Sequence, residues 1–138
     1  MKRTATAIWK GTGKDGTGAL TTQSTTLNNT QYSYKSRFEE GIGTNPEELV
    51  AAAHAGCFAM ALSFQLQAMG LTAESLNVSA VITLDPPTSS ITSSALTLKA
   101  NVPGITEEQF KKAYEAAKTG CPISKLLNTT ITLDASLV

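Results

Sequence analysis

Polar and apolar residues alternate along the first third of the chain with the period of β-structure. Ala5, Ala7 and Trp9 share one face of Arg3–Trp9, the spacing of a half-buried strand. Gly11, Gly13, Gly16 and Gly18 then crowd a short stretch, which reads as a loop or hairpin tip. Ala19–Thr25 and Gln31–Phe38 follow as strands. In the second, Tyr32, Tyr34, Ser36 and Phe38 fall on one face and Ser33, Lys35 and Arg37 on the other. Three strands with short connections predict an antiparallel meander.

The period then changes. Asn45 suits an N-cap, Pro46 the first helical position, and Glu47 and Glu48 the positive end of a helix dipole. Glu48, three residues after Asn45, also resembles the second half of a capping box. The helix should run to about Met69 and stop at Gly70. From Leu49 to Leu62 every residue except His54 is apolar or glycine, a run of 14 that is too short for a bilayer and suits a buried core helix. Apolar on every side, it needs cover on every side. Its alanines, with Gly56, keep it slim enough for another backbone to approach closely.

Two further strands, Leu76–Leu84 and Ser90–Val102, alternate strictly and end at Asp85-Pro86-Pro87 and Pro103-Gly104. Thr106 and Gln109 form a capping box for a helix through about Thr119, closed by Gly120. Pro122–Leu127 adds one more turn, and a last strand starts at Thr129. The order β-β-β-α-β-β-α-β is an α+β pattern, not the alternation of a parallel sheet. With no repeat, linker or boundary, residues 1–138 read as a single domain.

Composition narrows the function. Eleven basic residues balance 11 acidic ones with no basic cluster, which argues against nucleic acid as a partner. The first ten residues alternate and lack the apolar core of a signal peptide, so a cytoplasmic protein is expected. In that compartment a cysteine pair is more often redox-active or inert than a structural staple. Two distant cysteines and one histidine lack the ligand cluster of a zinc site, so no metal is expected. The glycine-rich stretch is no phosphate loop, because Gly13-Lys14 is followed by Asp15.

The cysteines are the candidate chemistry. Cys57, inside the apolar helix, is either a small buried hydrophobe or a reactive thiol. Cys121, between Gly120 and Pro122, sits where backbone N–H groups of a starting helix stabilise a thiolate. A thiol on a helix and a thiol at a turn fit a nucleophile and a resolving partner. A reactive Cys57 in a dry site needs a cation, since desolvation alone raises a thiol's pKa. Arg37, before the turn leading into the helix, is the best candidate; otherwise it is a solvated surface residue. Glu47 lies ten residues before Cys57, about 15 Å along a helix at about 1.5 Å per residue, so it reaches such a site from a second subunit or through Arg37. Otherwise Glu47 serves only the helix dipole. His54 neighbours Cys57 on the helix surface, where a satisfied core histidine is a simpler reading than a general base.

The stretch from Tyr32 to Leu49 with Arg37 and Asn45-Pro46-Glu47, then Ala51-Ala-Ala-His-Ala-Gly-Cys57-Phe58, then Gly120-Cys121-Pro-Ile-Ser-Lys125, resembles the OsmC/Ohr family of thiol peroxidases, more closely its OsmC (osmotically inducible protein C) branch. The resemblance covers nearly the whole chain. It implies an α+β intertwined homodimer, antiparallel sheets wrapped around two central buried helices, and reduction of organic hydroperoxides with hydrogen peroxide as a further substrate. It implies that Cys57 is the peroxidatic thiol, Cys121 the resolving one, Arg37 the activating cation and Glu47 its orienting carboxylate. A dithiol reductant, with lipoyl-type ones among the candidates, would restore the pair; no cofactor, nucleic acid or membrane is implied. In the Ohr branch the arginine comes from the glycine-rich loop, which here offers Lys14-Asp15-Gly16 and so places Lys14 outside the site. Phe38, Ile42, Phe58 and Met60 are candidates for an apolar wall or for the core. The competing class is a non-catalytic dimeric stress or small-ligand-binding protein with inert cysteines; a hydrolase using Cys57 and His54 ranks last.

Overall fold

The alternating segments at the start of the chain pair as expected. In a computed structural model describing residues 1–138, β1 (Ala5–Lys10), β2 (Thr17–Thr22) and β3 (Thr30–Ser33) form an antiparallel sheet in that order. The chain gathers into two compact units, Met1–Leu49 and Val50–Val138. In the first, Gly18 lies against the rings of Trp9 and Tyr32, whose centroids are 5.3 Å apart. A Cβ there would overlap both rings, so only glycine lets the two aromatics close over β2.

One expected strand is a helix over half its length. Gln31–Phe38 leaves the sheet after Ser33, and α1 (Tyr34–Phe38) follows. Ser33 accepts from the Ser36 N–H at 3.1 Å while Ser36 Oγ accepts from the Ser33 N–H at 2.9 Å, a reciprocal cap at the point of departure. Tyr34 and Phe38, four apart, fit a period of 2 and a helical turn equally. Their rings meet at 4.9 Å in the helical arrangement.

The long helix α2 (Pro46–Ala68) takes its first turn from the first unit. Ser63, Gln65 and Gln67 carry it past the apolar run, so by length and composition it is long and apolar enough to cross a membrane. Within the chain it is not buried on every side, and one stripe of it packs on the core. His54, Phe58, Leu62 and Leu66, each four residues from the next, are fully buried. They meet Leu96, Leu98 and Ala100 of the sheet and Phe110, Ala113 and Ala117 of α3 (Glu107–Gly120). Each such Leu or Phe stabilises the fold by about 1.5–3 kcal/mol. The cover expected on every side of α2 reaches only this stripe within the chain: Met60 and Phe64 remain 63% and 62% exposed.

The second sheet departs from the antiparallel expectation. β4 (Ser75–Asp85) and β5 (Ser90–Asn101) pair antiparallel, with a bulge at Thr83/Leu84, but β6 (Thr130–Leu137) pairs parallel to β5. Between β5 and β6 the chain crosses over through α3 and α4 (Pro122–Leu126), and a crossover of that length returns the strand in the same direction. Central in the order β4-β5-β6, β5 buries Ser94, Leu96, Leu98 and Ala100 on one face. The architecture is α+β, with two three-stranded sheets and four helices.

Candidate active site

Two pairs of the expected site residues meet, one pair within each unit. In the first unit, Arg37 occupies the last turn of α1 and not a strand end, and its guanidinium lies 5.0 Å from the centre of the Phe38 ring. Asn45 Oδ1 accepts from the Glu48 N–H at 2.9 Å, and Asn45 Nδ2 donates to the Ser36 carbonyl at 3.2 Å. Capping α2 therefore also ties it to α1. Glu48 does not complete the expected capping box; its carboxylate accepts from the Thr44 hydroxyl at 2.5 Å. Glu47 faces Arg37 instead. Nε donates to Oε2 at 3.0 Å and Nη2 to Oε1 at 2.7 Å, a bidentate pair. Chiefly through that hydrogen bond, the Arg37 pKa is held above its ordinary value. Lys14 sits elsewhere in this unit, its ammonium 5.9 Å from the centre of the Tyr34 ring.

In the second unit, Cys57 of α2 is half-buried and Cys121 is fully buried, with both thiols free. Their Sγ atoms are 2.7 Å apart across 64 residues of sequence. A disulfide needs about 2.0 Å, so little movement separates the pair from a bond. Cys121 ends α3 and serves as N-cap of α4, whose first helical residue is Pro122. Burial pushes the Cys57 pKa up, and Cys121 adds to the rise. Burial pushes Cys121 up as well, but hydrogen bonds from Cys57, Ser124 and Ile123 outweigh it and bring the thiol below its ordinary value. The two thiols thus act on each other's ionisation in opposite directions. With burial raising it, a Cys57 thiolate calls for a stabilising positive charge.

Beside Cys57 opens a cleft of about 360 Å³ lined by Met60, Ala61, Phe64, Ala116 and Pro122. It is large enough for an alkyl chain and offers few polar partners. Met60 lines it, whereas Phe58 is core, Phe38 lies under Arg37, and Ile42 is 87% exposed. His54 is the satisfied core histidine of the sequence reading. Nδ1 meets Ser94 Oγ at 2.7 Å and Nε2 meets Ser124 Oγ at 2.9 Å. Both ring nitrogens are thus engaged away from Cys57, which removes the basis for a Cys57–His54 hydrolase. Burial lowers the His54 pKa and keeps the ring neutral. Ser94 and Ser124 escaped the sequence reading; the one available signal was the three-residue offset of Ser124 from Cys121. No group of three His, Cys, Asp or Glu side chains gathers as a metal site.

Residues 39–136 match the family model described as OsmC-like protein. The chain belongs to the OsmC-like family. It is 44% identical over 133 residues to Peroxiredoxin OsmC of Escherichia coli (strain K12), an alignment covering 95% of this chain and 93% of that protein. Peroxiredoxin OsmC of Shigella flexneri matches to the same extent. Among solved structures, an OsmC-like protein of unknown function from Vibrio cholerae aligns with a TM-score of 0.75 at 15% identity, covering 99% of both chains. The organic hydroperoxide resistance protein OhrB of Bacillus subtilis aligns at 0.64 and 23% identity, covering 98% of both. At these identities the structural matches establish the shared fold.

Proposed function

We propose that this chain is a cysteine-based peroxidase that reduces organic hydroperoxides to alcohols, with hydrogen peroxide as a second substrate, in antioxidant and osmotic stress defence. One observation carries the reading: the Cys57 and Cys121 sulfurs approach to 2.7 Å at the edge of an apolar cleft. Kinship to proteins named peroxiredoxins supports it. A core cysteine with a purely structural role has no need of a second thiol at that distance.

Cys57 attacks the terminal oxygen of the hydroperoxide as a thiolate. The O–O bond breaks, the alkoxide leaves and takes a proton to become the alcohol, and Cys57 becomes a sulfenic acid. Cys121 then attacks the Cys57 sulfur, expelling water and forming the Cys57–Cys121 disulfide. A dithiol reductant, with lipoyl-type dithiols suited to the apolar cleft, returns both thiols. Arg37 supplies the positive charge that favours a Cys57 thiolate and the charge developing on the peroxide oxygens. Glu47 fixes the guanidinium through the bidentate pair. The scheme uses no cofactor, metal, nucleic acid or membrane.

The acting species is a homodimer in which residues 1–138 of each copy serve as one OsmC-like domain. The exposed Met60 and Phe64 face of α2 supports this, since contiguous apolar surface of that kind is normally covered. The reducing cytoplasm is the compartment that suits thiol recycling.

Replacing Cys57 with Ser is expected to abolish peroxide consumption. Replacing Cys121 with Ser permits one turnover and prevents efficient recycling. Undiminished turnover by the Cys57→Ser protein would overturn the assignment.

A further inference from the structure

The helix α4 has few holds of its own. It is five residues long, none of its side chains is fully buried, and Cys121 caps it without a side-chain hydrogen bond. A helix that short does not stand alone in water. Of its side chains only Ser124 is hydrogen-bonded, its Oγ lying 2.9 Å from His54 Nε2. His54 is the chain's only histidine, fully buried, and takes no part in the chemistry above. Its Nδ1 lies 2.7 Å from Ser94 Oγ on β5, the central strand of its sheet. A neutral imidazole donates at one nitrogen and accepts at the other, and a serine hydroxyl does either, so both bonds form with either tautomer.

The same two segments meet at the thiols. Three residues separate His54 from Cys57 on α2, and three separate Cys121 from Ser124. His54 meets Ser124 and Cys57 meets Cys121 at 2.7 Å, so the segments run antiparallel and touch at two rungs. Along α2 the rungs are about 4.5 Å apart, at about 1.5 Å per residue. The Cys121 backbone is held on its entering side by α3, through its N–H to the Ala117 carbonyl at 2.9 Å. On its leaving side the Cys121 carbonyl accepts from the Lys125 N–H at 3.1 Å, so its seat depends on where α4 sits. The contact that seats α4 on α2 is therefore also a hold on the Cys121 sulfur.

We propose that His54 and Ser124 are positioning residues for the resolving thiol, keeping Cys121 within bonding reach of Cys57. The inference rests on the peroxidatic role given to Cys57. Two reactions compete for its sulfenic acid. In the first, the Cys121 sulfur electron pair forms the S–S bond and the Cys57 S–O bond breaks. The leaving oxygen takes the Cys121 thiol proton and departs as water. In the second, the sulfenic sulfur attacks another hydroperoxide, whose O–O bond breaks. Cys57 keeps one oxygen as a sulfinic acid, and the remainder leaves as alcohol. The first reaction is intramolecular, so its rate follows how closely the fold holds the two sulfurs. The second is bimolecular and follows the hydroperoxide concentration. Loosening α4 slows the first and leaves the second unchanged, which shifts the outcome toward sulfinic acid.

A glutathione titration reads this hold without peroxide. Native protein and variants are equilibrated in glutathione buffers, and alkylation with mass spectrometry counts the Cys57–Cys121 disulfide. Ser124→Ala is expected to lower the effective concentration of Cys121 at Cys57 by about three- to tenfold, the worth of one neutral hydrogen bond. That change raises the reduction potential of the pair by about 15–30 mV. Ser124→Thr, which keeps the hydroxyl, should return the native potential. Leu133→Ala removes a partly buried apolar contact on β6 and leaves the His54–Ser124 pair in place. It should lower the urea midpoint and keep the native potential. A native potential in Ser124→Ala overturns the positioning role, as does an equal shift in Leu133→Ala. With an alkyl hydroperoxide, Ser124→Ala should reach Cys57 sulfinic acid in about three- to tenfold fewer turnovers, with the first attack on peroxide at native rate. Dimedone trapping in Cys121→Ser reports the Cys57 sulfenic acid. Its absence sinks the peroxidase reading, while the glutathione titration still judges the hold on Cys121.

Discussion

The Arg37 guanidinium and the Glu47 carboxylate meet through two parallel hydrogen bonds, Nε to Oε2 at 3.0 Å and Nη2 to Oε1 at 2.7 Å. The pair lies half in solvent, with the arginine side chain 38% exposed, so it contributes less than about 1 kcal/mol to stability. Its value is in fixing a plane of positive charge. Glu47→Gln should lower kcat/KM for an alkyl hydroperoxide about tenfold, and Arg37→Lys should lower it further because an ammonium lacks the fork. Urea denaturation of both variants should stay near the native midpoint. A Glu47→Gln protein with native kcat/KM removes Glu47 from the mechanism.

The two thiols should titrate as a coupled pair. Cys57 raises its partner's acidity and has its own lowered, so native protein loses its protons in two separated steps. Replacing Cys121 with Ala removes two of the influences that raise Cys57, and the remaining thiol should ionise at lower pH than the second native step. Replacing Cys57 with Ala removes a hydrogen bond that favours the Cys121 thiolate, so that thiol should ionise above the first native step. Ultraviolet thiolate absorbance checks both directions. Identical midpoints in the two single variants and the native protein would show the thiols to be independent.

Fold stability should fall as His54 gains a proton. Burial sets its pKa below the ordinary 6.5, so between the folded and unfolded values the unfolded chain binds the extra proton. The contribution of neutral His54 is complete above about pH 6.5 and is lost as pH falls through the folded value. Thermal melts between about pH 7.5 and 5.5 should show this slope in native protein and a flatter profile in His54→Gln. Equal slopes would place the pH dependence elsewhere.

The exposed face of α2 should govern assembly. Phe64→Glu places a charge on that face without touching the stripe formed by Phe58, Leu62 and Leu66. Native protein should sediment as a dimer and the variant as a folded monomer. A native monomer at micromolar concentration refutes the dimeric reading. Phe58→Ala is the contrasting change: it empties a fully buried site and should cost about 3–5 kcal/mol of stability.

Much of this was legible in the residues because the signals are local. Strand alternation, the Asn45-Pro46 start of α2 and the Thr106–Gln109 cap each act within a few positions, and each appears where the pattern put it. Gln31–Phe38 misled because aromatics four apart satisfy two periods, while the deciding Ser33–Ser36 cap is a quiet pair of small residues. Helix length left Glu47 a choice between a second subunit, Arg37 and a role on the helix dipole alone, and the structure pairs it with Arg37. The hydroxyls on His54 could not be read, since Ser94 and Ser124 lie 40 and 70 residues away and only the fold brings them in. The parallel direction of β6 was hidden for a similar reason: it is set by where the crossover returns the chain and leaves no mark on the strand itself.

That crossover also sets an order of events in time. Cys57 precedes Cys121 by 64 residues, which a ribosome adding about 5–20 residues per second takes about 3–13 s to supply. In that interval the sheet lacks β6, and the helix α3 that buries Phe58 and Leu62 is made only over its closing residues. Parallel pairing of β6 then waits on closure of the whole crossover, a non-local contact that forms slowly. The thiol assigned the attack on peroxide is therefore synthesised before the thiol that would rescue it from overoxidation.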